Sequence, residues 1–223
     1  MAWLAIVGAT FGALLPIANP VSAAPVFATI TTGESRESKK RQARLAGIYM
    51  AIILLVSLLA GALILEFFGI SLPALRIAGG LIVARIGFGM LNPEPDRRLP
   101  KRDQEESADK EDIAFTPIAL PLLSGPGSIA VTISMATSAE HYLDYIPIGV
   151  GIVLVAILSW MVLRSASVIV SRLGRTGVNA LTRIMGLLLV CIGVQFIGTG
   201  VVDLLTTEAA VDSIRDAFPS AGV

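Results

Sequence analysis

A chain of 223 residues that is 54% hydrophobic and only 15% charged, with a mean hydropathy of +0.78, lies outside the soluble range and inside the membrane class. Lys plus Arg and Asp plus Glu number 17 each, so no basic surplus points to nucleic acid, and only the distribution of charge is informative. A single histidine, His141, and a single cysteine, Cys191, exclude a histidine metal cluster and an intramolecular disulfide. They argue against an intramembrane hydrolase, and no catalytic residue, metal ligand or cofactor is expected.

Apolar segments occur at about 2–32, 44–66, 70–91, 113–137, 145–170 and 180–205, which predicts six membrane spans. The first lacks the basic leader of a signal peptide and is read as a retained span. Its 31 residues would make a straight helix of about 46 Å, longer than the ~30 Å of hydrocarbon. Pro16, Pro20 and Pro25 lie within it, and a break at Asn19-Pro20 resolves the excess. It leaves one half-helix over 2–18 and another starting near Ser22.

Between the segments the basic residues alternate. The first, third and fifth connections hold five (Arg36, Lys39, Lys40, Arg41, Arg44), five (Arg97, Arg98, Lys101, Arg102, Lys110) and four (Arg164, Arg172, Arg175, Arg183); the second and fourth hold none, and the tail has Arg215 alone. Cytoplasmic loops retain Lys and Arg, which predicts an even number of spans with both termini extracytoplasmic. The 92–112 connection, with eight acidic residues and three prolines, is expected as a solvated cytoplasmic linker. It separates a first three-span repeat, 1–91, from a second, 113–205, followed by an extracytoplasmic tail, 206–223.

The halves are related in sequence. Pro16, Pro20 and Pro25 recur without a gap as Pro117, Pro121 and Pro126, and Arg76-Ile77-Ala78-Gly79-Gly80 in the third span is matched by Arg183-Ile184-Met185-Gly186 in the sixth. Three spans per half force the second copy to enter from the opposite side. The fold expected is all-α, with six transmembrane helices as two inverted three-helix repeats and the first and fourth helices broken at Pro/Gly motifs.

Each break is a candidate substrate site. A half-helix start exposes backbone N–H groups and a partial positive charge suited to a carboxylate, and irregular backbone at that depth is tolerated only when buried or lining a cavity. The candidates are Asn19, Pro20, Ser22, Ala23 and Pro25 in the first break, and Ser124, Gly125, Pro126, Gly127 and Ser128 in the second. Plain proline kinks are the bland alternative; two matched triplets weigh against it. Arg76 and Arg183 are expected to snorkel or, more sharply, to hold two symmetric gates, and Gln195 to bond across helices or line the pathway. Arg85 is expected to snorkel, Glu66 and Asp203 to be solvated, Cys191 to pack, and the glycines of the third and sixth spans to permit close helix approach. A coupling ion, H+ or Na+, would have to use carbonyls and hydroxyls such as Thr29, Thr32, Thr132 and Ser134.

Asn19-Pro20 followed by Pro25-Val26-Phe27 and Thr29, the basic run from Arg36 to Arg44, Phe68-Gly69-Ile70-Ser71-Leu72 with Arg76 to Gly80, and Pro121-Leu122-Leu123-Ser124-Gly125-Pro126-Gly127 resemble the MarC family from about Leu14 to Leu205. The resemblance implies a six-span protein of the cytoplasmic (inner) membrane. Through the family's small neutral amino acid transporters, it implies glycine- or alanine-like substrates. Ser22, where many members have Gly, and Arg85, where an apolar residue is usual, depart from the pattern. The expected function is secondary transport of a small neutral amino acid by alternating access, with the lipid bilayer as the surrounding partner. The alternatives are export of another small metabolite or drug, and a non-transporting membrane scaffold.

Overall fold

The computed structural model describes residues 2–91, 113–139 and 141–206; the 92–112 linker and the tail from 207 onward lie outside them. The described residues form eight longer helical segments, α1 Ala2–Ala18, α2 Pro20–Ile30, α3 Arg36–Phe67, α4 Leu72–Leu91, α5 Ala114–Leu123, α6 Pro126–Thr137, α7 Tyr145–Arg164 and α8 Ala166–Leu205, with a short 3-10 turn, Tyr142–Asp144, leading into α7. Four stretches are long and apolar enough to cross a membrane, Arg36–Phe67, Leu72–Leu91, Tyr142–Arg164 and Thr176–Leu205, and α1 with α2, bent by 41° at Asn19, passes the same test only as a pair, as a broken span or a re-entrant loop.

The fourth expected span, 113–137, differs. It is two pieces of 10 and 12 residues, neither of which crosses alone. Within α5, Thr116 (φ −126°, ψ 124°) and Leu120 (φ −126°, ψ 121°) are extended. Each precedes a proline in the sequence, and the residue before proline is disfavoured in the helical region. The remaining bonds widen to a five-residue spacing, as in Ser124 N–H to the Ala119 carbonyl at 2.9 Å.

Two further boundaries depart from expectation. The basic run is helical rather than looped: the Ser35 hydroxyl accepts from the Ser38 N–H at 3.1 Å and starts α3 at Arg36. The fifth connection is mostly helical too, α8 beginning at Ala166 and breaking at Gly174 (φ 62°, ψ 179°), a conformation only glycine adopts freely.

Packing pairs the elements. α3 lies on α7 and α4 on α8; α1 contacts α7 while α5 contacts α3; α2 contacts α7 and α8 while α6 contacts α3 and α4; and α1 meets α6 while α5 meets α2. The α4–α8 seam is built on glycine. A Cβ on Gly80 would stand 2.6 Å from the Gly193 carbonyl oxygen, one on Gly87 2.7 Å from that of Gly186, and one on Gly200 2.9 Å from that of Pro73, so these backbones touch directly. The core gathers around the breaks, with Leu14, Ile17, Ala23, Phe27, Leu123 and Val131 buried. Cys191, expected to pack, is exposed on α8.

Candidate functional site

The first break turns on Asn19, a buried residue with φ 36° and ψ 63°. Among non-glycine residues asparagine adopts this left-handed region most readily, and the helical alternative is disfavoured before Pro20. Its Oδ1 accepts from the Ser22 N–H at 3.2 Å, and its carbonyl accepts from the N–H of Ser22 at 3.1 Å and of Ala23 at 3.2 Å. The second half-helix therefore begins at Pro20 rather than near Ser22 and is capped by its own chain. Asn19 Nδ2 points to the Met90 sulfur of α4 at 3.7 Å, a weak acceptor. Pro25 is inside α2.

Sequence reasoning misses the partner of Ser22, whose hydroxyl shares a hydrogen bond with that of Thr182 on α8 at 2.9 Å. The two residues are 160 positions apart, and no local pattern marks Thr182.

The second break is at Ser124-Gly125, and here no side chain caps the helix that follows. Ser124 is fully buried and donates to the Ala119 carbonyl at 2.7 Å rather than capping α6. Gly125 (φ −66°, ψ 175°) takes the cap position and Pro126 the first turn. Ser128, also buried, donates back to the Leu123 carbonyl at 3.2 Å. The two breaks are thus chemically unequal: α2 has its first donors taken up by Asn19, whereas α6 starts with a glycine cap. They are adjacent, for a Cβ on Gly127 would lie 3.3 Å from Ile17 Cγ2 and 3.0 Å from Val83 Cγ2.

Asn19→Ala removes both the cap and the tolerance for a left-handed backbone, and should cost about 1–2 kcal/mol. Asn19→Gly, which keeps the backbone freedom, should cost clearly less. Thermal unfolding of the two variants checks this; equal losses would mean that the conformation is not what asparagine supplies.

Arg76 and Gln195 are brought together; Arg183 is exposed elsewhere on α8. Arg76 is held by polar partners on other elements. Its guanidinium donates to Ser134 at 3.1 Å, to Ser138 and to the Asp203 carboxylate, tying α4 to α6 and α8. Asp203, expected to be merely solvated, is its ion-pair partner. Arg76, Ser134, Ser138, Gln195 and Thr199 line an open cleft of about 320 Å³. Arg76 and Asp203 keep 21% and 40% of their side-chain surface, so screening limits the pair. A double-mutant cycle on Arg76→Gln and Asp203→Asn should give a coupling of about 1 kcal/mol or less, and a coupling of zero would mean that the pair adds nothing to the fold.

The hydroxyls suggested for an ion are engaged within their helices: Thr29 donates to Pro25 (2.9 Å), Thr32 to Ala28 (3.0 Å) and Thr132 to Ser128 (2.8 Å) carbonyls.

Apolar helices of membrane-spanning length around broken segments buried in their midst define an integral membrane protein. The chain belongs to the MarC family: residues 4–205 match the MarC family integral membrane proteins. It is 40% identical over 205 residues to the UPF0056 inner membrane protein MarC of Citrobacter koseri, covering 87% of this chain and 93% of that protein. The proteins of the same description from Salmonella typhimurium and Escherichia coli are 41% and 40% identical with the same coverage. No solved structure matches the chain.

Proposed function

We propose that this chain is a secondary transporter of small neutral amino acids, glycine- or alanine-like, working by alternating access in the cytoplasmic membrane. The observation that carries the reading is the apposition of two broken helices at Gly127 and Ile17, in a buried setting where the α6 N-terminus is free of a side-chain cap. A carboxylate suits that end. The ammonium suits the carbonyls that the irregular α5 leaves outside a regular ladder, and the tight packing at Gly127, where a Cβ would meet Val83 at 3.0 Å and Ile17 at 3.3 Å, favours a small substrate. Reciprocal packing supports two inverted repeats, 1–91 and 113–205: α1 on α7 is mirrored by α5 on α3, α2 on α8 by α6 on α4, and α2 on α7 by α6 on α3. In that arrangement both termini are extracytoplasmic, 92–112 joins the halves in the cytoplasm, and the cleft at Arg76 is the outer approach to the site.

The test is flux of labelled glycine and alanine in proteoliposomes, with sodium and proton gradients imposed separately. Flux of either amino acid that follows one gradient supports the reading and names the coupling ion. Movement of neither overturns it: transport of a larger metabolite or drug instead would make the protein a different exporter, and no transport at all a scaffold.

A further inference from the structure

Away from the breaks, α3 and α7 enclose two adjoining hollows at the N-terminal end of α3 and the C-terminal end of α7. One, of about 400 Å³, is lined by Glu37, Lys40, Arg41, Arg44, Trp160 and Arg164. The other, of about 260 Å³, is lined almost wholly by apolar surface, with Gly47, Ala51, Val153 and Ala156 among its walls. Arg44 and Trp160 belong to both. A charged compartment thus opens directly into an apolar one that runs along the helix pair toward the membrane interior.

The chemistry of the two compartments is complementary to one class of molecule. Four cations face a single carboxylate in the first, and among the described residues none of the four is in a salt bridge. Arginine matches phosphate with a planar fork of donors. Arg164 lies over the Trp160 ring at 5.7 Å, which steadies both side chains at the level where tryptophan marks a membrane interface. Gly47 lets α3 close directly on α7, since a Cβ there would meet Trp160 Cβ at 3.1 Å and the Ala156 carbonyl at 3.2 Å, and this contact is the floor of the shallow groove beyond. From Arg44 to Ala51 it descends roughly 10 Å, a depth suited to the upper part of an acyl chain. Ile48, Val153 and Ile157 on its rim are exposed, so it opens sideways to lipid.

We propose that this paired hollow binds an anionic phospholipid of the surrounding bilayer, its phosphate held by Arg44 and Arg164 with Lys40 and Arg41, and one acyl chain lying along the lipid-facing groove over Gly47, Ala51, Val153 and Ala156. The bound lipid bridges α3 and α7, which belong to different halves of the chain, and so fastens the halves together at one membrane face. Basic pockets between transmembrane helices are a recurrent headgroup-binding device. The proposal is independent of which solute, if any, the protein moves.

The experiment uses the purified full chain in a non-ionic detergent, with dioleoylphosphatidylglycerol or dioleoylphosphatidylcholine added. Thermal unfolding and native mass spectrometry read stabilisation and bound lipid. Phosphatidylglycerol is expected to raise Tm and to appear as one retained adduct, and phosphatidylcholine to do neither. The R44Q/R164Q variant should bind at least about tenfold more weakly, while R36Q/K39Q, which removes equal charge outside the hollow, should bind as the parent does. Should R44Q/R164Q not fold, A51F keeps every charge, fills the groove and should also lose the adduct. Equal response to both lipids, equal loss in both double variants, an unaffected A51F, or a shift reproduced by soluble glycerol phosphate would each overturn the proposal.

Discussion

Replacing Gly127 by leucine is expected to lower alanine flux at least about tenfold, equivalent to about 1.4 kcal/mol at the barrier, while leaving a folded protein. At this position α6 has just begun, its first turn has no side-chain cap, and the other broken helix approaches from Ile17. A Cβ alone would press on Val83 at 3.0 Å and Ile17 at 3.3 Å; both contacts are side-chain methyls that can yield slightly. Gly127→Ala should therefore retain part of the flux, whereas the longer leucine side chain must push apart the contact between the breaks. Flux in proteoliposomes, normalised to protein that elutes as a single species and unfolds cooperatively, reads the difference. Unchanged flux in Gly127→Leu would remove the α6 N-terminus from the transport path.

Gly193→Ala is the second large effect, and it acts on the fold. The added Cβ would lie 2.6 Å from the Gly80 carbonyl oxygen and 2.6 Å from the Ala84 nitrogen. These are backbone atoms of α4, so the helices must move apart along the whole seam rather than adjust one rotamer. Overpacking of this kind costs about 1–3 kcal/mol. Gly198 supplies the internal control. It is on the same helix, and a Cβ added there would have no neighbouring atom within 4 Å, so Gly198→Ala should be neutral or slightly stabilising through helix propensity alone. A fall in Tm for Gly193→Ala without one for Gly198→Ala would establish the seam; equal behaviour would show that α4 and α8 do not meet there.

The features legible in the sequence are those with local chemical causes. Proline at Pro20 and Pro126 marks both helix starts, since a ring that fixes φ and lacks a donor suits the first turn. The glycines of α4 and α8 are readable as a close-packing surface because little else places so many in apolar spans. Other features depend on partners distant in the chain. Thr182 is 160 residues from Ser22, and Asp203 is 127 from Arg76; which residues meet is decided by how the halves pack. Snorkelling is the default for Arg76 because an isolated arginine seeks the interface; the two serines and the carboxylate that hold it come into view only once the helices are packed.

The difference between the breaks is also hidden. Matching the proline triplets at a fixed offset makes the breaks look equivalent, yet the first lies before the middle proline and the second before the last. Asn19 explains this. A side chain that tolerates a left-handed backbone and can cap α2 permits a sharp one-residue break, whereas the second half spreads its distortion over Thr116, Leu120 and Ser124-Gly125.

Counterflow tests the central claim most directly. Proteoliposomes loaded with unlabelled alanine are diluted into a trace of labelled alanine, and label inside is followed over time. A carrier whose one site between the breaks opens to each side in turn accumulates label transiently, and Gly127→Leu abolishes that overshoot. No overshoot in the parent protein with either alanine or glycine, or an overshoot that survives in Gly127→Leu, would contradict it.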